Sequence, residues 1–591
     1  AARQVMAVQV AAFLPQGSVP LQLPALTQAA GLLGMGLVFC GTDHRWTAER
    51  LLAQIDVPRL ETSDANDAHH DVYAQSAGLA LGLVLLGRAR RAPMDNAADA
   101  ALLAQLRRLL AGSGSARDVV GANRAAGPAM LALALIFLRS NRRDAAALLA
   151  PPANAAALAH VRPDLLLPRT LARALIMWDA VAPSDAWLDA TLPAFLRGVD
   201  PGAAPLEAQL AWYNMRAGAC LALALKFAGT GDVSARAVLL RQLRRCVHAA
   251  GSSYAERIAQ AARDVLRDVL HLALATVMAG SGDVDLLRLL RVAHGSVGRE
   301  AQYGSQMATH MALGLLFLGG GRFTLGTSDV AVAALLLALL PRFPSRPSDN
   351  RTHLQAARHF WVLALEPRLL AARDVASGEL CFLPLAVRTR SEADAGAERR
   401  DAGAAPLGRT TSAIAPTLLP PFERLALVAT ASRRYWPAAR TAAALTAPGE
   451  EQRQIHLLHV QRRTGYLSYL DDPHGHRSIF ARSSFLAREH LDACAAADAR
   501  GTLRDLQELV RSFETAPQYA ALVHRVCRTR QGVPPTRFQT YATSVLMDCL
   551  TSDAPMLVRI HLGLWAGLER GLRAAGAPLF LAELRLLDAF Y

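Results

Sequence analysis

Close pairs of histidines are the residues of this sequence whose type and spacing could hold a metal ion or supply a general base. A zinc site needs about four ligands, and catalytic zinc helices carry the pattern HExxH. None of the pairs has cysteines or carboxylates at ligand spacing, and HExxH does not occur. We therefore predict structural or surface histidines, no metal site and no bound cofactor. The pairs are His69 with His70, His456 with His459, and His474 with His476.

A second candidate for acid–base chemistry is the run DDPHGH, which sets Asp471 and Asp472 beside His474 and His476. Carboxylates and imidazoles are the groups that general acid–base catalysis uses. Proline and glycine, however, stand in this run where a turn needs them. We interpret it as a turn.

The cysteines show no arrangement for redox or nucleophilic chemistry. Seven cysteines without a CxxC pair are too sparse for a disulfide framework. The sequence has no GxSxG elbow, and no papain-like sequence surrounds a cysteine. A reducing compartment and no covalent nucleophile are therefore expected. The cysteines are Cys40, Cys220, Cys246, Cys381, Cys494, Cys527 and Cys549.

Glycines in the stretch GLLFLGGGRFTLGTSD raise the possibility of a phosphate loop, because Gly321 and Gly326-Thr327 are separated by four residues. A phosphate loop needs a lysine after the second glycine and a preceding strand, and the sequence indicates neither. We instead interpret the stretch as a buried helix, its glycine stop and the start of a second, outer helix.

Composition predicts a large folded protein. A chain of 591 residues with 52% hydrophobic content can bury a sizeable core and is long enough for two or more domains. The net charge of +14 comes almost wholly from arginine, with Lys226 the only lysine. Because the arginines are spread without clusters, they suggest a coding bias, and no nucleic-acid binding is predicted.

No membrane span is predicted. Apolar runs such as Leu131–Leu138 and Val330–Leu340 stop short of the roughly 18 residues that a spanning helix needs. We expect buried helices of a soluble protein. The start of the chain lacks an initiator methionine and the order of a signal peptide, so a fragment is expected.

Small residues, a Leu/Ala-rich helical run and a glycine turn recur along the chain. Ala217–Asp232 reads AGACLALALKFAGTGD, and Val269–Asp283 reads VLHLALATVMAGSGD. Successive copies lie roughly 40 to 50 residues apart, the period at which helical pairs form solenoids. Further copies begin at Ala30, Ser76, Gly127, Arg169, Gly304 and His353.

Each repeat is predicted to contain an inner and an outer helix. The first helix is apolar on nearly every side, so it must be buried on nearly every side. Gly78 and Gly82, or Gly218 and Ala222, stand four apart on one helix face, where small residues let backbones approach. The second helix is more polar and is expected to face outward.

The turns between these helices are the structural sites that the pattern predicts. Glycines should adopt the left-handed conformation that ends the inner helix, and aspartates should accept hydrogen bonds from the first amides of the outer helix. The glycines are Gly41, Gly87, Gly229, Gly280 and Gly319, and the aspartates are Asp43, Asp232 and Asp283.

Specific sequence motifs in several repeats resemble those of a known family. Arg162–Asp179, Met311–Asp329 and Asp349–Leu370 resemble the proteasome/cyclosome repeats of the family of the largest subunit (subunit 1) of the anaphase-promoting complex. Gly465–Ser478 resembles that family's short motif downstream of the repeats. The resemblance implies a closed or nearly closed ring of helical hairpins, an α-α superhelical toroid.

The resemblance also implies a function. Members of the family are non-catalytic scaffolds in a multi-subunit ubiquitin ligase, the cyclosome, that controls mitosis. The implied partners are the cullin and RING module, the helical-repeat arch subunits, the substrate-receptor subunit and the coactivator, in the nucleus and cytoplasm. The partner-binding residues are unknown. The family's N-terminal β-propeller and phosphorylation-controlled loop are not seen in this sequence, so phospho-regulation does not carry over.

Two alternatives to this function stay open. Large subunits of the proteasome regulatory particle share the repeat type. An α-toroid enzyme would keep acidic residues inside its ring, whereas the inner helices here carry Leu, Ala, Gly and Met with few carboxylates.

The predicted organisation has four parts. A lead-in at 1–29 precedes the repeat toroid at 30–375, in which Trp178, Phe360 and Trp361 are expected to be core. A β-rich module at 376–478 contains the strand-like runs Glu379–Arg390, Arg424–Ala431 and Arg453–Arg463, with an exposed loop at 391–412. Residues 479–591 are predicted to be helical.

Overall fold

The computed structural model describes residues 24–56, 70–111, 124–246, 253–295, 302–375, 377–390, 407–432, 434–447 and 454–462, with a few positions between 561 and 570. The chain divides into two compact units, Ala1–Arg368 and Leu369–Tyr591. Gly465–Ser478 and nearly all of the predicted helical region 479–591 lie outside the described residues.

The first unit is built mainly of helices. Its α-helices are α1 (Ala25–Val38), α2 (Arg45–Ala53), α3 (His70–Val84), α4 (Arg88–Arg91), α5 (Ala97–Ala111), α6 (Ala126–Ile136), α7 (Arg143–Ala147), α8 (Ala155–Leu158), α9 (Leu166–Ile176), α10 (Asp185–Ala190), α11 (Leu206–Lys226), α12 (Val233–Arg245), α13 (Tyr254–Val277), α14 (Val284–His294), α15 (Tyr303–Leu316) and α16 (Asp329–Leu339). Short 3₁₀ helices span Pro163–Leu165, Trp178–Ala180, Ala194–Leu196, Pro201–Ala203, Leu318–Gly321 and Gln355–Ala364.

Seven of these helices form the inner layer of a repeat array. Each packs against the next along the chain, in the order α1, α3, α6, α9, α11, α13 and α15. The absence of a polar face explains their burial, and every residue of α6 is buried. The outer helices α2, α5, α12 and α14 each pack on the inner helix that follows them. Successive hairpins therefore interlock, which confirms the predicted solenoid.

Small residues set the close spacing of the inner helices. A Cβ atom added to Gly36 would lie 2.7 Å from Ala80 Cα, and one added to Gly218 would lie 2.4 Å from the backbone oxygen of Leu167. These contacts leave no room for a side chain, because real Cβ atoms do not approach backbone so closely. The cost of glycine within a helix is offset by the packing of the neighbouring helix.

The last helix of the first unit, α16, lies inside the array and does not face outward. Its residues from Ala331 to Leu339 are all buried, and it packs on α11. Asp329, at its first position, contacts Arg90 and Arg139, which follow the second and third inner helices. Because distant repeats contact one helix, the array curves around it. We call α16 the central helix; the prediction of an outer helix here was wrong.

The segment after the central helix also differs from the sequence prediction. The run from His353, expected to be a weak repeat helix, forms the 3₁₀ helix Gln355–Ala364 and then strand β2 (Leu365–Pro367). Strand β2 pairs antiparallel with β1 (Phe323–Leu325). Trp361 and Phe360 are half-buried against the core, and Trp178 is buried in it.

The second unit is a β-rich module, as predicted. Its strands are β3 (Leu369–Asp374), β4 (Leu380–Cys381), β5 (Leu383–Arg390), β6 (Leu407–Ala415), β7 (Thr417–Leu418), β8 (Leu425–Thr430), β9 (Ala439–Thr441) and β10 (His456–Val460), with a short helix α17 (Ala442–Leu445).

These strands form two sheets around a separate apolar core. In the first sheet β3 pairs in parallel with β10 and antiparallel with β4 and β7. The second sheet is antiparallel, in the order β6-β5-β8-β9. Leu383, Leu385 and Val387 alternate into the core, as expected for a half-buried strand. Residues 407–412, predicted as part of an exposed loop, belong to β6; residues 391–406 lie outside the described residues.

One helical stretch of the described residues, Asp71–Arg91, is long and apolar enough to cross a membrane by length and composition alone. It is longer than the apolar runs that the sequence singles out. In the fold 89% of its apolar window is buried inside the protein, where it packs between α1 and α6. Its apolar character is therefore explained by the core.

Replacing Gly218 with alanine tests the close packing of the inner helices. The added methyl group would meet the carbonyl of Leu167, which is backbone and cannot turn away. We expect Gly218→Ala to lower the free energy of unfolding by about 1–3 kcal/mol, the range for overpacked cores. The midpoint of urea unfolding, followed by circular dichroism, measures the change.

The matched control is Gly34→Ala, because no atom lies within 4 Å of a Cβ built there. Alanine should leave stability unchanged or raise it by up to about 1 kcal/mol through helix propensity. Equal effects at both positions would contradict the packing account.

Candidate functional site at the repeat turns

The repeat turns, the residues between an inner helix and the next outer helix, form a ladder of hydrogen bonds. A turn amide of one repeat donates to a carbonyl in the last turn of the next inner helix. Such carbonyls have no partner within their own helix. The ladder therefore satisfies each helix end while fixing its distance to the neighbour. Its bonds run from Gly41 to Leu83 (2.9 Å), Gly87 to Leu135 (2.9 Å), Gly229 to Thr276 (2.8 Å) and Gly280 to Leu315 (2.9 Å).

The predicted turn glycines all have positive φ. The angles are 65° for Gly41, 64° for Gly87, 62° for Gly229, 76° for Gly280 and 58° for Gly319. This conformation ends the helix and turns the amide toward the next repeat. Gly229 is closely constrained, because a Cβ there would lie 2.2 Å from the backbone oxygen of Leu325.

Gly319 takes a different position from the other glycines. It lies in a 3₁₀ turn, where an added Cβ would meet the ring of Phe323 at 2.4 Å. The bond that corresponds to those of the ladder is made further along the chain, where the amide of Gly326 donates to the carbonyl of Ala364 at 2.7 Å. The ladder thereby continues to Ala364, the last residue of the 3₁₀ helix Gln355–Ala364.

The third repeat keeps the ladder without a glycine. Arg139 and Asn141 adopt φ of 58° and 54°, and their amides donate to Leu175 (3.1 Å) and Ile176 (2.9 Å). Asparagine tolerates this region, whereas arginine rarely adopts it. The guanidinium of Arg139 lies over the ring of Trp178 at 4.3 Å and contacts Asp329, which holds the residue in place. The sequence analysis did not predict either position. Alignment of the repeats could have found them, because Arg139 and Asn141 align with Gly229 and Gly231, which also have positive φ.

The step from the fourth to the fifth repeat is bridged by a side chain. Lys226, the last residue of α11, donates through Nζ to the carbonyl oxygens of Trp178 (3.0 Å), Asp179 (3.4 Å) and Val181 (2.8 Å). An ammonium group has three protons, so one side chain can serve this set of carbonyls. The only lysine of the chain therefore replaces the turn amide at this junction.

Two of the predicted aspartates cap outer helices. Asp232 accepts from the amide of Ala235 at 2.7 Å, and Asp283 accepts from Leu286 at 2.8 Å. Asp283 also accepts from Nη2 of Arg236 at 2.9 Å, which links α12 to the next turn.

The prediction was wrong for Asp43. It adopts φ of 56°, and the cap position of α2 is His44, with no side-chain cap bond. The carboxylate of Asp43 instead accepts from Nη2 of Arg91 at 2.8 Å, while Nη1 of Arg91 donates to Gly41. One extra turn residue places this carboxylate beyond the first amides of α2 and within reach of the second repeat.

Buried polar groups attach β1 and the end of the first unit to the ladder. The hydroxyl oxygen of Thr324 lies 3.1 Å from the carbonyl oxygen of Gly229 and 2.8 Å from that of Ala279. Nη2 of Arg368 donates to Gly229 (2.8 Å) and Leu325 (2.7 Å). Arg368 is fully buried, and burial lowers its pKa to about 10, so the guanidinium stays charged at neutral pH. These bonds join β1 and the end of the unit to turns from separate repeats.

Burial shifts the pKa values of two histidines and two cysteines in the array away from neutral pH. Nε2 of His353 donates to the carbonyl of Leu337 at 3.0 Å, and burial lowers the pKa of His353 to about 3 and that of His271 to about 4. Burial raises the pKa of the Cys220 thiol to about 12 and that of Cys246 to about 11, so both are inert at neutral pH.

The predicted histidine and acid clusters are not brought together as a site. In β10 His456 is buried and His459 is exposed. His69, Asp471, Asp472, His474 and His476 lie outside the described residues, as does the side chain of His70. Within the described ranges no three His, Cys, Asp or Glu residues are grouped to hold a metal ion. The arrangement supports packing and backbone capping.

Taken together, the ladder and the interlocked hairpins define a helical-repeat unit, which is followed along the chain by a β-rich module. The family profile described as the APC1 fifth domain matches residues 1–366, and that of the anaphase-promoting complex subunit 1 C-terminal domain matches 508–591. The chain belongs to the anaphase-promoting complex subunit 1 family, as its repeats predict.

Curated relatives agree with this assignment. Anaphase-promoting complex subunit 1 of Homo sapiens is 32% identical over 100% of this chain, and that of Mus musculus is 33% identical over 95%. The negative regulator of mitosis of Emericella nidulans is 38% identical over 73% of the chain. The chain spans 31%, 29% and 20% of the lengths of these three relatives.

Removing the ammonium group of Lys226 is expected to open the junction between the fourth and fifth repeats. Lys226→Met leaves the carbonyls of Trp178 and Val181 without their charged donor and should cost about 1–3 kcal/mol of unfolding free energy. Limited proteolysis should cut the loop at 177–184 faster in the variant. Lys226→Arg, which keeps the charge and the donors, is the control. Equal cleavage in all three proteins would refute the bridging role.

Acidification from about pH 6.5 to about pH 4.5 is expected to destabilise the first unit through His353 and His271. An unfolded histidine takes up its proton near pH 6.5. The folded pKa values of these two side chains are lowered to about 3 and about 4, so the unfolded state binds more protons in this range. Each histidine removes up to about 1.4 kcal/mol per pH unit. Asp268 opposes them, because burial raises its folded pKa to about 6.

The variant His353→Gln isolates one of these contributions while keeping a donor for Leu337. Its unfolding free energy, measured against pH, should fall less steeply than that of the parent by up to about 1.4 kcal/mol per pH unit. His359→Gln, at an exposed position of the following 3₁₀ helix, is the matched control for the substitution itself. A parent slope in His353→Gln would show that His353 is protonated in the folded protein.

Proposed function

We propose that this chain forms part of a non-catalytic scaffold subunit of the anaphase-promoting complex, a ubiquitin ligase that controls mitosis. The observation that carries the proposal is the match to human subunit 1 over 100% of the chain. The name of the Emericella nidulans relative supports a role in mitosis. On this proposal the chain works in the nucleus and cytoplasm.

The geometry of the first unit supports a scaffold role in physical terms. A partner held by a scaffold needs a surface whose shape changes little, and the ladder fixes each repeat to the next by backbone bonds. Side chains on outer helices and loops remain available for contacts, as in other repeat proteins. The proposed partners are the cullin and RING module, the helical-repeat arch subunits, the substrate-receptor subunit and the coactivator.

The chemistry of the described residues supports the non-catalytic part of the proposal. Ubiquitin transfer through a protein thiol needs an accessible cysteine of low pKa. The pKa values of the four described cysteines, Cys40, Cys220, Cys246 and Cys381, are raised by burial. A general base would need an accessible group whose pKa lies near neutral pH.

Affinity purification tests the assembly. The tagged chain, expressed in its cells of origin, is expected to recover subunits of the anaphase-promoting complex by mass spectrometry. Gly229→Val is the matched control, because its side chain would overlap Leu325 and break the ladder; recovery should fall with it. Recovery of proteasome regulatory particles would favour the alternative function, a large subunit of that particle.

A separate assay tests catalysis. The purified chain, incubated with a ubiquitin-charged conjugating enzyme, is expected to leave the rate of ubiquitin discharge unchanged. A faster discharge that Gly229→Val abolishes would overturn the non-catalytic assignment without affecting the assembly result.

A further inference from the structure

The second sheet of the β-rich module ends in a strand with a free edge. Strand β6 pairs with β5, and within the described residues no strand pairs on its other side. An edge strand presents unpaired amide and carbonyl groups that another extended chain can use. With nine residues, β6 is long for an edge.

The residues whose backbone faces the open edge can be derived from the pairing. The amide of Ala431 donates to the carbonyl of Pro384 at 2.9 Å, so Pro384 directs its backbone groups toward β8. Backbone groups alternate in direction along a strand. Leu383, Leu385 and Val387 therefore bond to β6 through their partners there, which are Ala415, Ala413 and Thr411.

The intervening residues of β6 must point the other way. Thr410, Ser412 and Ile414 alternate with the bonded positions, so their amides and carbonyls face the open edge. Their side chains are exposed on the outward face of the sheet. The edge thus offers a row of donors and acceptors next to accessible side chains.

The outward face has an apolar end and a basic end. Ile414 is 62% exposed opposite Pro384, and Phe382, two residues before Pro384 in the chain, is 52% exposed. At the other end Arg388 lies opposite Thr410.

The second sheet carries positive charge. Its four strands contain arginines and no aspartate or glutamate. The arginines are Arg388, Arg390, Arg409 and Arg440. Arg388, on the outward face opposite Thr410, would attract an acidic occupant, and the strands themselves contain no carboxylate to repel it.

We propose that β6 is a docking edge for an extended acidic segment of a partner protein, which adds to the sheet as a fifth strand. Main-chain bonds to Thr410, Ser412 and Ile414 provide binding, as in other strand additions. Apolar residues at one end of the segment pack on Ile414, and acidic residues at the other end meet Arg388. This docking edge does not depend on the proposed function, because it follows from the sheet alone.

Hydrogen exchange tests the proposal directly on the full chain. The probe is the peptide Ile-Thr-Val-Thr-Glu-Thr-Glu-amide, which carries fluorescein on its N-terminus. Its binding should slow exchange at the amides of Thr410, Ser412 and Ile414 and leave those of Thr411, Ala413 and Ala415 unchanged. Unchanged exchange at all six amides under saturating peptide would overturn the proposal.

A pair of variants separates main-chain pairing from side-chain contact. Ser412→Pro removes an edge amide at a position where an edge strand tolerates proline, and it should weaken peptide binding, measured by anisotropy, by about tenfold. Ser412→Ala keeps the amide and should bind as the parent does. Equal binding by both variants would refute the docking edge, and near-parental circular dichroism of Ser412→Pro shows that the sheet is intact.

Control ligands identify the occupant. The same peptide with lysine in place of glutamate should bind less tightly, and a version N-methylated at alternate residues should lose binding, because it cannot pair. Tight binding of the lysine peptide would refute the acidic specificity. The chain could also form a dimer in the absence of peptide. If Ser412→Pro dissociated that dimer, the edge would pair with a second copy of the chain, and the proposed partner would be overturned.

Discussion

The hydrogen bond between a repeat turn and the next helix end is the interaction on which the first unit depends. Every α-helix leaves carbonyls in its last turn without an internal partner. In this array a left-handed glycine turns its amide onto those carbonyls, as Gly41 does for Leu83 and Gly229 for Thr276. The bond joins backbone to backbone, so it fixes the spacing of the helices independently of side-chain rotamers. Small residues such as Gly218 then allow the helices to meet at that spacing.

A ladder of this kind alone would give a protein stabilised only by contacts between neighbours, the usual condition of solenoids. The central helix changes this condition. Its first residue, Asp329, contacts arginines of the second and third repeats, and its buried face packs on the fifth inner helix. Thr324 and Arg368 extend the same coupling to the turn at Gly229. Opening one junction therefore disturbs contacts made by distant repeats.

The parts of this structure that the sequence reveals are those set by local rules. Helix ends need a left-handed residue, so the spacing of Gly87, Gly229 and Gly280 could be read directly. The capping roles of Asp232 and Asp283 follow from their distance to the next helix. Asp43 stands one residue further from its outer helix and pairs with Arg91, because its own backbone is left-handed and the competing partner comes from another repeat.

Long-range features were the ones that could not be predicted. The role of Lys226 is defined by the carbonyls of Trp178 and Val181, which lie more than forty residues away in sequence. The central helix has the same Leu/Ala composition as an inner helix, and composition does not tell which apolar surface covers which. The prediction of an outer helix was wrong for that reason.

The two units expose polar backbone differently, and this difference bears on where partners can bind. In the first unit the ladder uses the helix ends that a partner could otherwise cap, so recognition there must rely on side chains of the outer helices and loops. In the second unit no described strand pairs with the outer edge of β6, so its amides and carbonyls there can pair with an extended chain. Specificity at that edge then has to come from its neighbours. The apolar end at Ile414 and the basic end at Arg388 provide it, because a segment shifted by one residue would turn its side chains to the wrong face.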